Sequence, residues 1–194
     1  MELQEERRIA APRDRVYAAL NDPEILRQCI PGCETLTRTG DNNMEATVQI
    51  KIGPVKARFA GAVELKNLNP PESYTIAGEG KGGAAGFAKG HADVKLLEDG
   101  AATILKYDVK ADVGGKLAQL GSRLIDATSR KMAGDFFSRF AELVEQGETM
   151  PAAGAPEGRP SPPPEPEAGG SKLLYWIGAG LLVLIIFAVL ASMR

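Results

Sequence analysis

The 194-residue chain holds one His, two Cys and one Trp, and neither sign of charge predominates: 23 Lys and Arg stand against 25 Asp and Glu. Each shortage excludes something. A single His rules out metal centres that need two or more imidazoles from one chain. Two Cys cannot build a disulfide framework. A net charge of −2 lacks the basic surplus of a dedicated nucleic-acid binder. The opening MELQEERRIA has no apolar run. The expectation is therefore no signal peptide, a cytoplasmic location and reduced, free thiols. No phosphate loop of the form G-x-x-x-x-G-K-[ST] occurs.

What is present divides into three unlike segments, hidden by a mean hydropathy of −0.13. Residues 1–146, 147–171 and 172–194 have charge balances of −1, −3 and +2. The first is long enough for one domain with a substantial core. The second, GETMPAAGAPEGRPSPPPEPEAGGS, has seven Pro and no aromatic residue, so it reads as a disordered tether. Extended as polyproline II, its 25 residues would reach roughly 75 Å. The third runs without charge from Leu173 to Met193, bounded by Lys172 and Arg194, with Tyr175 and Trp176 near one end. At about 1.5 Å per residue it spans roughly 31 Å, the depth of a bilayer core. It reads as a C-terminal membrane anchor with an interfacial aromatic belt. The folded domain is expected to face the cytoplasm.

Within residues 1–146 the pattern changes period. Residues 1–9 read as an edge-like strand. Pro12 to Leu20 reads as a short helix, and Asn21-Asp22-Pro23 starts a second. From Met44 to Val113 apolar residues alternate with polar ones, as in Val55-Lys56-Ala57-Arg58-Phe59 and Leu105-Lys106-Tyr107-Asp108-Val109. That describes about six antiparallel strands with one wet and one buried face. Lys116 to Gln146 reads as one long helix whose apolar stripe runs through Leu117, Leu120, Leu124, Met132, Phe136, Phe140 and Val144. The class is α+β, with the helix covering the sheet.

That order of elements resembles the helix-grip fold of the START/Bet v 1-like superfamily, a curved antiparallel sheet wrapped on a long C-terminal helix. The closer resemblance is to the carbon monoxide dehydrogenase G-subunit family. It rests on Ala11-Pro12-Arg13-Asp14-Arg15-Val16-Tyr17, Leu20-Asn21-Asp22-Pro23-Glu24 and Cys29-Ile30-Pro31-Gly32-Cys33-Glu34, with Lys51-Ile52-Gly53-Pro54-Val55 and Gly86-Phe87-Ala88-Lys89-Gly90. It implies a non-catalytic accessory protein at the cytoplasmic membrane. Its partner would be a molybdenum-flavin-iron–sulfur hydroxylase such as carbon monoxide dehydrogenase, whose electrons pass to the respiratory chain.

The inward rows carry small residues: Ala57, Gly61, Gly78, Gly90, Ala92 and Ala111. These either let the helix approach closely or leave a cavity, and helix-grip folds usually leave one. Phe59, Tyr107, Val109, Leu117, Leu120, Leu124 and Thr128 are the candidate lining residues, each with plain core as the alternative. A lipophilic ligand drawn from the bilayer, a quinone such as menaquinone or ubiquinone, suits such a cavity. Tyr107 or Thr128 could bond its carbonyl. The inward rows otherwise offer no acid/base pair, although cyclases and hydrolases occur on this fold and general lipid carriage is a third reading. Cys29 and Cys33 read as turn packing rather than zinc ligands. His91 reads as a solvated residue on the wet face. Gly78 to Gly83 satisfies G-x-G-x-x-G but precedes a strand, so a sheet-edge loop is expected.

Overall fold

The computed structural model describes residues 2–146. The expected tether at 147–171 and the expected anchor at 172–194, with Lys172, Tyr175, Trp176 and Arg194, lie outside the described residues. Among the described residues no helix is long and apolar enough to cross a membrane.

Seven strands form one antiparallel sheet: β1 (Glu2–Ile9), β2 (Cys33–Arg38), β3 (Asn43–Ile52), β4 (Val55–Asn69), β5 (Ser73–Lys81), β6 (Phe87–Asp99) and β7 (Ala102–Gly114). Their order is β1-β7-β6-β5-β4-β3-β2, so the first strand closes against the last. Two short helices, α1 (Arg13–Ala19) and α2 (Pro23–Cys29), link β1 to β2. The long helix α3 (Ser122–Gln146) lies over the inner face.

Local chemistry accounts for the helix starts. The Asp22 carboxylate accepts from Glu24 N at 2.8 Å and Ile25 N at 3.3 Å, and Pro23 opens α2 where no donor is needed. The expected helix from Lys116 begins later. Leu117 donates its N–H to Ala85 O at 3.0 Å and Ala118–Leu120 make a 3-10 turn. Gly121 then turns at φ 85°, a left-handed value that stops any helix from running through it.

The structure adds β2, unanticipated because Cys33–Arg38 shows only Leu36 fully buried. The glycine run at 78–83 is also different from the expected loop. Gly78 pairs with Val63 on one side and Gly90 on the other, so β5 carries residues 78–81 through the sheet, and only Gly82 and Gly83 belong to the connection to β6.

The buried face of α3 is Ile125, Ser129, Ala133, Phe136, Phe137, Phe140 and Val144. Its two halves differ in bulk. The C-terminal half brings three Phe, each contributing about 2–3 kcal/mol on burial. The N-terminal half brings Ser129 and Ala133 and turns Leu124 outward, 37% exposed. The apolar stripe expected through Leu124 is thereby corrected by part of a turn.

Candidate functional site

Cross-strand pairing sorts the inner face into rows. One row runs Tyr74, Val94, Tyr107, Glu5 across β5, β6, β7 and β1. The next runs Leu65, Ile76, Ala92, Val109, Leu3. Then come two rows that are small except at their ends: Gly78, Gly90 and Ala111 beside Met44 and Val63, and Ala46, Gly61, Gly80 and Ala88 beside Val113.

The first row is polar, against the expectation that only Tyr107 would be. Glu5 and Arg7 point inward between Leu3 and Ile9 on β1. The Glu5 carboxylate accepts from Tyr107 Oη at 2.7 Å, Arg7 at 2.6 Å and Arg130 of α3 at 3.3 Å. The Tyr107 ring stacks on Phe137 with centroids 5.3 Å apart, and the Arg7 guanidinium lies 6.0 Å from the same Phe ring. Burial, then the bond to Glu5, raises the Tyr107 phenol above its ordinary range.

At the row's other end Tyr74 meets Tyr17 of α1 edge to face, with centroids 5.6 Å apart. Both residues are buried, and both hydroxyls lack a hydrogen-bond partner. Burial pushes Tyr17 up to about 12. Tyr74 is raised further, by complete burial first and by neighbouring Tyr17 second. Two orphaned buried hydroxyls in one place are uncommon, because each costs about 1–3 kcal/mol when unmade.

The helix bridges these rows. Phe137 sits on Tyr107, and Leu124 meets the β3–β4 turn, where a Cβ added to Gly53 would come within 2.9 Å of Leu124 Cδ2. The intervening turns, with Ser129 and Ala133 buried, therefore pass over the two small-residue rows. Ser129 and Ala133 on the helix, and Gly78, Gly80, Ala88 and Gly90 on the sheet, contribute little side-chain volume there.

The expected lining residues are placed unevenly. Phe59 is buried at the β3–β4 end of the sheet, its ring occupying the position a Gly82 side chain would need. Leu117 is fully buried beside Ala85 at that same end. Val109 is buried one row from Tyr107. Tyr107 lies four rows from Phe59, about 26 Å along the strands at roughly 3.3 Å per residue. Leu120 is half-buried and Leu124 exposed. Thr128 donates its hydroxyl back to Leu124 O at 2.8 Å, so it is not aimed at a ligand. Tyr107's hydroxyl is likewise committed, to Glu5. Gly90 has a cause of its own: a Cβ there would meet the Lys110 carbonyl and come within 2.7 Å of Ala111 Cβ. It is small because β6 and β7 pinch together.

Grooves mark the surface of the described residues. One of about 800 Å³ crosses the outer face, floored by Ala62 and Ala77 between Glu64 and Glu79 and the cations Lys89 and Lys110, with His91 at its side. A second of about 630 Å³ on the same face contains the hydrogen-bonded run Asn67–Thr75–Asp93 and the Gln4–Asp108 pair. A third, about 330 Å³, separates α1 and α2 from Leu143 and Val144. No α3 residue lines the first two. None of these grooves is the chamber expected beneath α3.

Cys29 is buried and Cys33 half-buried, both free thiols. Burial raises Cys29 to about 11, the Arg139 charge opposing it. Among the described residues no group of three His, Cys, Asp or Glu is arranged to hold a metal.

Comparison with known proteins agrees with this architecture. Residues 6–145 match the family described as the carbon monoxide dehydrogenase G-subunit, CoxG. The curated proteins give no match. A solved structure of a conserved protein from Geobacillus kaustophilus is 28% identical, with 76% of this chain and 97% of that one covered at a TM-score of 0.72. A Thermus thermophilus protein is 19% identical over 77% of this chain and all of its own, at 0.59. An aromatase/cyclase from Streptomyces sp. R1128 is 13% identical over 80% and 99%, at 0.55. These last two are similar in fold alone, and that fold is helix-grip.

Proposed function

Because the chain belongs to the carbon monoxide dehydrogenase G-subunit family, we propose that it is a non-catalytic membrane accessory protein that recruits a molybdenum hydroxylase of the carbon monoxide dehydrogenase type. It holds a lipophilic ligand, a respiratory quinone such as menaquinone or ubiquinone, between its sheet and α3. The observation that carries the ligand reading is the pair of buried, unpartnered hydroxyls on Tyr17 and Tyr74. An acceptor such as a quinone carbonyl would satisfy them, and the small residues on both sides of the interior would accommodate an apolar body. The apolar run at 173–193 supplies the membrane attachment. Extraction of the full chain from its native membrane, followed by mass spectrometry of bound lipids, should recover a quinone. Pull-down should recover a large molybdenum hydroxylase. Recovery of phospholipid without quinone would favour general lipid carriage.

An enzymatic reading has one observation in its favour, the inward Glu5–Tyr107 pair. It is the weaker reading, since that carboxylate already accepts from Arg7, Arg130 and Tyr107 and is committed to holding β1, β7 and α3 together.

A further inference from the structure

The two ends of the sheet differ in charge. At the α1 end the hairpin turns carry Asp41, Glu72, Glu98 and Asp99. Some of these are answered locally: Arg8 pairs with Asp99 at 2.7 Å and Arg13 with Glu98 at 2.9 Å. At the opposite end three segments converge, residues 51–56, 81–87 and 114–124. Leu124 reaches Gly53, Leu117 N–H reaches Ala85 O, and Gly115 packs on the Gly86 backbone. Every charged residue in these segments is a cation: Lys51, Lys56, Lys81, Lys116 and Arg123, all exposed.

This rim is arranged without regard for its own repulsion. Lys51 and Lys56 are directly opposed across β3 and β4, a like-charge pairing that costs stability. Lys81 pairs with Glu79 at 3.0 Å. Among the described residues no carboxylate pairs with Lys51, Lys56, Lys116 or Arg123. Two large apolar side chains stand exposed in the same rim, Phe87 at 47% and Leu124 at 37%.

We propose that this basic rim docks onto an anionic lipid bilayer, with Phe87 and Leu124 entering the interfacial region. Cations interspersed with exposed apolar side chains are what a bilayer surface selects, since headgroups neutralise the Lys and the acyl boundary takes the ring. The placement of the tether agrees. Helix α3 ends at the α1 end, where Glu145 accepts from Ala10 N. The rim is therefore the full helix length away, about 37 Å. A 25-residue tether, roughly 75 Å when extended, is long enough to let the domain turn its far end to the membrane. The small-residue rows lie toward this rim, so a ligand would pass between bilayer and interior without crossing water.

The proposal rests on the membrane attachment proposed above, and the test separates the two. The full chain is reconstituted into phosphatidylcholine vesicles and into phosphatidylcholine–phosphatidylglycerol vesicles. Flotation reads the attachment. Amide hydrogen exchange reads the rim. The expected result is flotation with both vesicle types. Exchange in 53–56, 82–87 and 115–124 should be several-fold slower on the anionic vesicles only. That slowing should disappear in high salt and in a K51E/K116E variant, with residues 98–101 unchanged throughout. Equal rim exchange on both vesicles, with flotation intact, would overturn the docking face alone. Slowing that requires added hydroxylase and ignores lipid charge would make the rim a protein surface and also overturn it. Failure to float would remove both readings.

Discussion

Tyr107 of β7 donates its hydroxyl to the Glu5 carboxylate of β1 at 2.7 Å, across the seam where the last strand meets the first. Arg7 and Arg130 complete the set around the same carboxylate. The seam is thus held by charge-assisted bonds shared among β1, β7 and α3. Tyr107→Phe should cost about 1–2 kcal/mol, and Glu5→Ala about 2 kcal/mol or more, because the latter strands three donors. Solvent screening of the half-exposed Arg side chains keeps the second figure modest. Urea denaturation midpoints of the two variants would check the order. A Glu5→Ala change no costlier than Tyr107→Phe would show the arginines to be idle.

Alkaline stability follows from the buried phenols and thiol. Tyr17 is pushed up to about 12 and Cys29 to about 11, with Tyr74 and Tyr107 also raised. A raised folded value means that the native state keeps its proton while the unfolded chain loses it. The stabilisation is complete below the ordinary values of 9.0 for the thiol and 10.0 for the phenol. It declines as pH climbs from there through about 11 and about 12. Denaturation midpoints measured from neutral pH upward should be flat at first and then fall. Tyr17→Phe should make the upper part of that fall shallower, by about 2–3 kcal/mol when ionisation is complete. An unchanged profile in Tyr17→Phe would remove this residue from the alkaline transition.

Two glycines give opposite expectations for the same substitution. Gly90→Ala forces a Cβ against the Lys110 carbonyl and to within 2.7 Å of Ala111 Cβ, both on a strand that is hydrogen-bonded in place. It should destabilise by about 1–3 kcal/mol. Gly134, in the middle of α3, has nothing within 4 Å of an added Cβ. Gly134→Ala should stabilise by about 0.5–1 kcal/mol through helix propensity and reduced unfolded-state freedom. Thermal melts of both variants decide the matter; equal shifts in one direction would contradict the packing described for the β6–β7 pair.

Much of this architecture is legible in the residue pattern, because alternation is strongest where one face is wet. β3, β4, β6 and β7 read directly. The site is less legible, for a physical reason: a charged residue is assigned to water by default. Glu5 and Arg7 fall on the same alternate positions as Leu3 and Ile9, but their charge argues for water, and only the pairing of β1 with β7 and the arrival of Arg130 reveal that they turn inward as a compensated set. Leu124 shows the converse. A leucine at helical spacing reads as core, yet the long helix begins only at Ser122, so the first turn is rotated and Leu124 meets the Gly53 turn instead. For Tyr17 and Tyr74, nothing in composition signals that their hydroxyls are left without partners. A search for aromatic hydroxyls on apolar faces, at the expected meeting of helix and strand, would have found them.

Those two hydroxyls allow ligand binding to be separated from packing. If Tyr74 only fills space, Tyr74→Phe removes an unsatisfied buried hydroxyl, stabilises the protein by up to about 1–3 kcal/mol and leaves lipid content unchanged. If the hydroxyl meets a carbonyl of the ligand, the ligand-free variant is still stabilised, but quinone retained through purification falls. The loss should be roughly tenfold for one bond worth about 1.4 kcal/mol. Tyr17→Phe should behave likewise, since its hydroxyl is orphaned in the same place. Leu26→Ala, a fully buried position in α2 outside the proposed site, lowers stability without removing a polar partner and serves as the control. Quantifying bound quinone per chain by mass spectrometry, alongside melting temperature, gives the two readouts. Unchanged quinone content in both tyrosine variants would take these hydroxyls out of the binding site and leave the interior to shape alone.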